Sequence, residues 1–427
     1  MKIIPLAQYR RSNPAIDMTE VQETVREILD AVRARGDAAL REFSLRYDRG
    51  VPPAFKVAPA DIQAAMKNCL PELRQAVRLA IKNLRRFAGR QKHQYRDFTL
   101  QMSTGVTSGQ RVLPIERIGV YVPGGRFPLF SSLLMAAVPA QVAGVREIAV
   151  FSPPDQHGFV HPTILAAAGL LDISEVYCLG GAQAIAAMTY GSESIRAVHK
   201  IVGPGNSFVN QAKLAVYGQV GIDLPAGPSE IIILADESAE PAIIAADLLA
   251  QAEHDPQAGP LLITTSGPLA VAVQSEIAKQ LIQLPTANIA RLSLANQGAI
   301  VLVASIAEAI NFINRQAPEH LELQVDHPDK LLKQFTAFGS LFIGHSTVEA
   351  LGDYSSGLNH VLPTAGAARF CSGLSVRDFL RLATTLQVDA AGLQRIGPSA
   401  MRMAEAEGMY GHARSLSLRL FDRSLSS

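Results

Sequence analysis

At 427 residues the chain exceeds what a single hydrophobic core supports, so more than one domain is expected. Its balance of 48% apolar and 18% charged residues is that of a globular protein, and a formal net charge of +1 leaves no basic field to attract nucleic acid or an anionic membrane. The longest apolar stretch, 133–145, is too short to span a bilayer, the N-terminus lacks a signal peptide's apolar core, and the scattered Cys69, Cys178 and Cys371 form no metal or disulfide pattern, so a cytoplasmic location is expected.

Residues 1–20, broken by Pro5 and Pro14, read as an arm. Val25, Ile28, Leu29 and Val32 share one face of a helix over 21–35, and a second helix over 38–47 is stopped by Asp48-Arg49-Gly50. Asp61 opens a third helix, and 71–91 forms a long fourth whose Arg and Lys face reads as solvated. Alternation over 99–113 predicts a hairpin. From Pro114 the texture changes to four strand–helix units, with strands at 118–122, 147–151, 175–179 and 199–202 and helices at 131–143, 162–171, 182–190 and 206–216. Apolar strands in this rhythm predict a parallel sheet covered on both faces, with its ligand crevice at the carboxyl ends of the strands. The glycines fall in those loops: Pro123-Gly124-Gly125, Gly180-Gly181 and Gly203-Pro204-Gly205, each leading towards a helix N-terminus. Such loops suit a dinucleotide pyrophosphate, or serve only as tight turns; no G-x-G-x-x-G fingerprint is present.

A second set of units follows, with strands at 230–235, 260–265, 299–304 and 341–343 and a helix at 241–253. On that helix Asp247, Gln251 and His254 share a face distinct from Ile243, Ile244 and Leu248, either exposed or lining a cleft. Pro318 fixes its own φ and is expected to hold Ala317 extended. Beyond it Leu321, Leu323 and Val325 alternate with Glu322 and Gln324, the pattern of a half-buried strand. Glu319 and His320 then stand at the mouth of a rigid element, as two bases with reference pKa values of roughly 4.3 and 6.5. Residues 352–364 form a long polar loop of the kind that carries function. Helices are predicted at 376–386 and 399–420, the latter containing Glu407 and His412. The expected fold is α/β, with two Rossmann-like parallel-sheet domains, one inserted in the other: an arm at 1–20, one domain from 21–113 with 229–374, the inserted one at 114–228, and a helical segment at 375–427.

Taken together, the stretches YVPGG (121–125), GGAQAIAA (180–187), GPGN (203–206), PAGPSE (225–230), QAEH (251–254), APEHLEL (317–323), GDYSSGLNHVLPT (352–364) and AEGMYGH (406–412) resemble the histidinol dehydrogenase family, and AVRARGDAAL (31–40) extends the likeness towards the N-terminus. The resemblance implies catalytic bases at Glu319 and His320 and zinc ligands at Gln251, His254, Asp353 and His412. It implies substrate contacts at Ser229, His320, Asp353, His360 and Glu407, with Gln251, His254 and His412 also close to substrate, and NAD contacts at Tyr121, Gln183 and Asn206. The family oxidises L-histidinol through L-histidinal to L-histidine with two NAD, as homodimers whose C-terminal segment reaches the partner's active site. A ligand set of one amide oxygen, two imidazoles and one carboxylate is one that zinc accepts. Where the family usually has two small residues after Gly124-Gly125, this chain has Arg126-Phe127. That pair packs at the surface or meets an anion on cofactor or substrate, and the alternative reading is a paralogue acting on another small alcohol, for example a sulfonated one.

Overall fold

In the computed structural model the described residues are 1–10, 18–124, 127–224 and 227–421. Five parallel strands, Arg117–Tyr121, Glu147–Ser152, Val176–Cys178, Lys200–Val202 and Gly221–Ile222, make one sheet. Counted along the chain their spatial order is 3-2-1-4-5. The order therefore reverses between Arg117–Tyr121 and Lys200–Val202, which places a topological switch point at the carboxyl ends of those two strands. Arg117–Tyr121 is buried along its whole length, as an apolar strand with helices on both faces must be.

The helices Thr19–Arg35, Asp37–Tyr47, Pro59–Asn68 and Pro71–Lys92 pack on the helices that flank this sheet. Ile62, Val77, Ile81 and Leu84 join Ile118, Val120 and Leu133 in one core, while Val25, Ile28, Leu40 and Phe43 join Tyr121, Phe151 and Ile185 in the other. The expected grouping of 21–113 with 229–374 is thus not how these helices pack. Their apolar stripes are used to extend the two cores that cover the five-stranded sheet.

The second sheet holds six parallel strands in the spatial order Lys2–Pro5, Ala299–Leu302, Gly259–Thr264, Glu230–Ala235, His320–Gln324, Ser340–Ile343. Leaving aside the first, the order is again 3-2-1-4-5. Residues 2–5, expected in a separate arm, instead form a parallel edge strand in register with Ala299–Leu302. Four residues ending in a proline are too short to show a period, so only the pairing partner reveals the strand. The five-stranded unit is inserted between this edge strand and the rest of its sheet.

A third, antiparallel sheet joins Phe98–Ser103, Val106–Pro114 and Leu380–Val388. The hairpin is as expected, whereas the helix expected at 376–386 is not formed. Val376–Phe379 makes a short 3-10 turn with Ser375 and Asp378 as its capping box, and the chain then runs extended. Leu380, Leu382, Thr384, Leu386 and Val388 alternate, and the adjacent Thr384 and Thr385 favour a strand. The last helix is split into Ala390–Ala406 and Tyr410–Phe421 by Gly408, at φ 72°. Among the described residues no helix is long and apolar enough to cross a membrane.

Hydrogen bonds link the carboxyl edge of the five-stranded sheet to the amino edge of the six-stranded one. The helix Phe130–Ala143, which leaves the carboxyl edge of the five-stranded sheet, is bonded to the 352–364 loop: Ser132 Oγ lies 3.3 Å from His360 Nε2, and Asn359 Nδ2 donates to the Met135 carbonyl at 2.7 Å. That loop adjoins the amino edge of the six-stranded sheet, where Glu230 and His320 begin their strands.

Candidate active site

The helix Ile306–Gln316 starts at Ser305, whose hydroxyl accepts the Glu308 N–H at 3.2 Å, and ends at Ala317. Ala317 is in the left-handed region, φ 50° and ψ 63°, and is fully buried. The extended shape expected before Pro318 gives way because the helix must be closed and the strand entered within three residues; the Ala317 N–H donates to Ile313 at 2.8 Å as a helix C-cap. The Pro318 and Glu319 carbonyls then accept from Gly339 and Ser340, at 2.9 Å each. On the other side a single residue ties both bases. The Glu230 N–H donates to Glu319 Oε2 at 2.9 Å, and the Glu230 carbonyl accepts from His320 Nδ1 at 3.1 Å. This clasp brings to one place two neighbours that an ideal strand would point to opposite faces. Ser229, just before it, is half-buried.

A carbonyl can only accept, so His320 carries its proton on Nδ1 and presents a lone pair at Nε2, a buried atom with no hydrogen-bond partner. Burial holds the imidazole down at about 4, with His254 and His360 acting the same way and Asp353 and the Glu230 carbonyl opposing. The carboxylates of Glu319 and Glu349 approach His320 Nδ1 only to 3.7 and 3.6 Å, and a neutral ring makes neither an ion pair. Burial raises the Glu319 carboxyl well above its usual range, against the Glu230 N–H and with the charges of Glu349 and Asp353 adding to the rise.

Gln251 and His254 lie at the end of the helix Pro241–Ala252, and Asp353 lies on the short helix Glu349–Tyr354. Ligand atoms of His254, Glu349 and Asp353 are all within 4.8 Å of one another. Gln251 is fully buried, and one end of its amide lies 3.2 Å from both Glu349 oxygens; assigning nitrogen to that end lets it donate to the carboxylate. His360 Nδ1 meets the Asp353 carbonyl at 2.9 Å. Glu407, the C-cap of Ala390–Ala406, and His412, on Tyr410–Phe421, are exposed and do not belong to this cluster in the chain itself.

On the facing edge Tyr121 ends the central strand of the five-stranded sheet. Its hydroxyl accepts the Gly181 N–H at 3.2 Å, and burial pushes the phenol up to about 12. Gln183 is buried and donates to the Asp48 carboxylate at 3.4 and 3.5 Å. Asn206 caps the helix Ser207–Val216, accepting the Val209 N–H at 3.0 Å. Tyr121 and the Gly203–Asn206 turn therefore flank the switch point. Gly125 and Arg126 lie outside the described residues.

The sequence model of histidinol dehydrogenase matches residues 11–420. The chain belongs to the histidinol dehydrogenase family. It is 45% identical over 407 residues to the histidinol dehydrogenase of Methanothermobacter thermautotrophicus, covering 95% of each chain. It is 46% identical over 401 residues to histidinol dehydrogenase 1 of a Nostoc species, covering 94% of this chain and 92% of that one. The crystal structure of the histidinol dehydrogenase from Elizabethkingia anophelis superposes with a TM-score of 0.92 at 38% identity, over 100% of this chain and 99% of that one. The chain is accordingly an oxidoreductase enzyme of the histidinol dehydrogenase family.

Four residues at this site have roles that the sequence does not reveal. Glu349 stands four residues before Asp353, so the i,i+4 spacing that puts both on one helix face was the available signal. Glu230 acts through its backbone, which leaves no trace in residue type. Glu322 and Gln324, expected on the polar side of a half-buried strand, are both buried. Gln324 donates to Glu322 at 2.6 Å, and Glu322 meets Asp247 on the covering helix. The alternation was real, but the polar side of the strand faces the polar side of a helix rather than water.

Proposed function

We propose that this enzyme is a zinc- and NAD-dependent histidinol dehydrogenase that converts L-histidinol through L-histidinal to L-histidine. The observation that carries this reading is the convergence of Gln251, His254 and Asp353 with Glu319 and His320, opposite a dinucleotide-type switch point. The donor set fits the metal: an imidazole nitrogen, a carboxylate and an amide oxygen turned away from Glu349 are mixed N/O ligands of the kind zinc accepts. Gln251, His254 and Asp353 would hold it from this chain, with His412 supplied by a second subunit. His254 is exposed here, and so are Phe98, Leu100, Met102, Leu382 and Leu386 on the three-stranded sheet, a surface suited to burial in a homodimer. Tyr121, Gln183 and Asn206 would line the NAD site.

When bound, zinc supplies Lewis-acid polarisation of the amino alcohol and NAD supplies the hydride acceptor. The chain's own groups move the protons. His320 Nε2, unprotonated and held by the bond from Nδ1 to Glu230, takes the hydroxyl proton of the alcohol. Glu319, whose carboxyl is lifted by burial and is therefore a stronger base than an exposed one, takes a proton from the water that hydrates the aldehyde. His320, once it has passed its first proton to solvent, would then accept the hydroxyl proton of the hydrate as the second hydride leaves to NAD. Ser229, Asp353, His360 and, from the second subunit, Glu407 would hold the ammonium and imidazole groups of the substrate. The direct test is NADH formation from histidinol by the zinc-loaded enzyme. Glu319→Gln is expected to impair aldehyde oxidation more than alcohol oxidation, and His320→Asn to impair both; equal small losses with the two substrates would reject these roles.

A further inference from the structure

Lys213 is the one lysine among the fully buried side chains of the described residues, and the assigned chemistry does not use it. It lies on the helix Ser207–Val216 among Val209, Ala212 and Val216, and pairs with Asp223; each side chain is 1% exposed. Stability alone does not explain such a pair, because desolvating two charges costs about as much as their attraction returns, and apolar residues of similar volume would pack as well. What distinguishes it is where its remaining bonds go. Asp223 Oδ2 accepts the Gly203 N–H at 2.7 Å, and Lys213 Nζ donates to the Gly203 carbonyl at 2.9 Å and to the Leu224 carbonyl at 3.4 Å. Both backbone polar groups of one glycine are therefore taken by one ion pair.

That glycine occupies a demanding position. Gly203 has φ 119°, and a Cβ there would run into the Tyr121 carbonyl, so no other residue fits. It follows the strand Lys200–Val202 at the switch point and opens the turn to Asn206. The two-residue strand Gly221–Ile222 ends where Asp223 is needed, and the Asp223 N–H continues the ladder to Ile201 at 3.1 Å. We propose that the buried Lys213–Asp223 pair is a positioning element that fixes the Gly203–Asn206 turn in the shape that receives the dinucleotide. The inference rests on the reading that NAD binds at this edge. The pair touches no ligand; it fixes the turn before the cofactor arrives, so its contribution is preorganisation.

The test uses the zinc-loaded, full-length enzyme and calorimetric titration with NAD. If removing the pair leaves the turn competent a tenth of the time, the apparent Kd rises about tenfold. The double variant Lys213→Met with Asp223→Leu, which leaves no charge stranded, is expected to show that rise while the KM for histidinol changes less than about twofold. NAD affinity unchanged in the folded double variant, or an equal loss for both ligands, overturns the proposal. Should the double variant not fold, the near-isosteric Asp223→Asn is expected to weaken NAD binding selectively, and unaltered NAD binding in it counts against the proposal equally. Hydrogen exchange on the wild-type enzyme needs no variant: the Gly203 amide is expected to be strongly protected without NAD, and exchange at the rate of an open loop refutes the clamp. Added NAD is expected to protect the 203–206 amides further. Failure of that protection refutes the placement of the cofactor, whereas protection together with normal NAD binding by the double variant refutes only the positioning role.

Discussion

Glu349→Ala is the most informative perturbation of the proposed metal-binding half of the site. The Glu349 carboxylate receives the Gln251 amide nitrogen at 3.2 Å on each oxygen, which fixes an amide that otherwise rotates between two orientations. Free choice between nitrogen and oxygen costs at least about a factor of two in zinc affinity; loss of an orienting partner around a metal ligand typically costs about 10–100-fold, or roughly 1.4–2.7 kcal/mol. Glu349 also belongs to the group of ligand atoms that includes His254 and Asp353, so a direct bond to the metal would make the loss larger still. Competition between the enzyme and a chromophoric chelator measures the affinity. Glu349→Gln serves as the control, since it keeps an acceptor for Gln251 but not the charge. Zinc affinity unchanged in Glu349→Ala would refute the orienting role; a loss in Glu349→Gln as large as in Glu349→Ala would assign the effect to charge instead.

Other expectations follow from the burial of the titrating groups. In the metal-free protein the His320 ring is expected to titrate near 4, and an NMR midpoint at the ordinary 6.5 would contradict the burial argument. Burial, with Asp247 next, pushes the Glu322 carboxyl up to about 9 from 4.5. Between those values the folded chain keeps a proton that the unfolded chain has lost, so this group makes stability fall as pH rises. Glu322→Gln removes that dependence, and its Tm relative to wild type is expected to improve from pH 5 to pH 8 in metal-free protein; a difference independent of pH would argue against it. Finally, subunits carrying His320→Asn mixed with subunits carrying His412→Asn are expected to regain activity, because one complete site can be assembled from the two chains. No recovery after verified subunit exchange would exclude a shared site.

The parts of the fold legible in the sequence are those in which one physical requirement dominates. Strands such as Glu147–Ser152 and Glu230–Ala235 are buried on both faces, and a run of apolar residues between helices has few other solutions. Leu380–Val388 was misread because mixed leucines and polar residues fit a helical face as well as an alternating strand, and only pairing with Val106–Pro114 decides between them. Ala317 was misread because a local preference before proline yields to the closing of the preceding helix. At the site, motifs pointed to Gln251, His254 and Asp353, of which the structure gathers His254 and Asp353 with Glu349, whereas Glu349 and the Glu230 clasp depend on tertiary placement. His412 remains apart from them in a single chain, so its role is a question about assembly.

The opposed edges of the two parallel sheets have an electrical consequence. Helices that leave the five-stranded sheet, such as Gly181–Tyr190 and Ser207–Val216, begin at its carboxyl edge and turn their positive ends towards the gap. Helices that return to the six-stranded sheet, such as Pro241–Ala252 and Ile306–Gln316, finish at its amino edge and turn their negative ends the same way. One wall of the gap thus favours an anion such as a pyrophosphate, and the other favours a metal ion or an ammonium group. Two modules with the same strand order come to prefer opposite charges simply by presenting opposite ends.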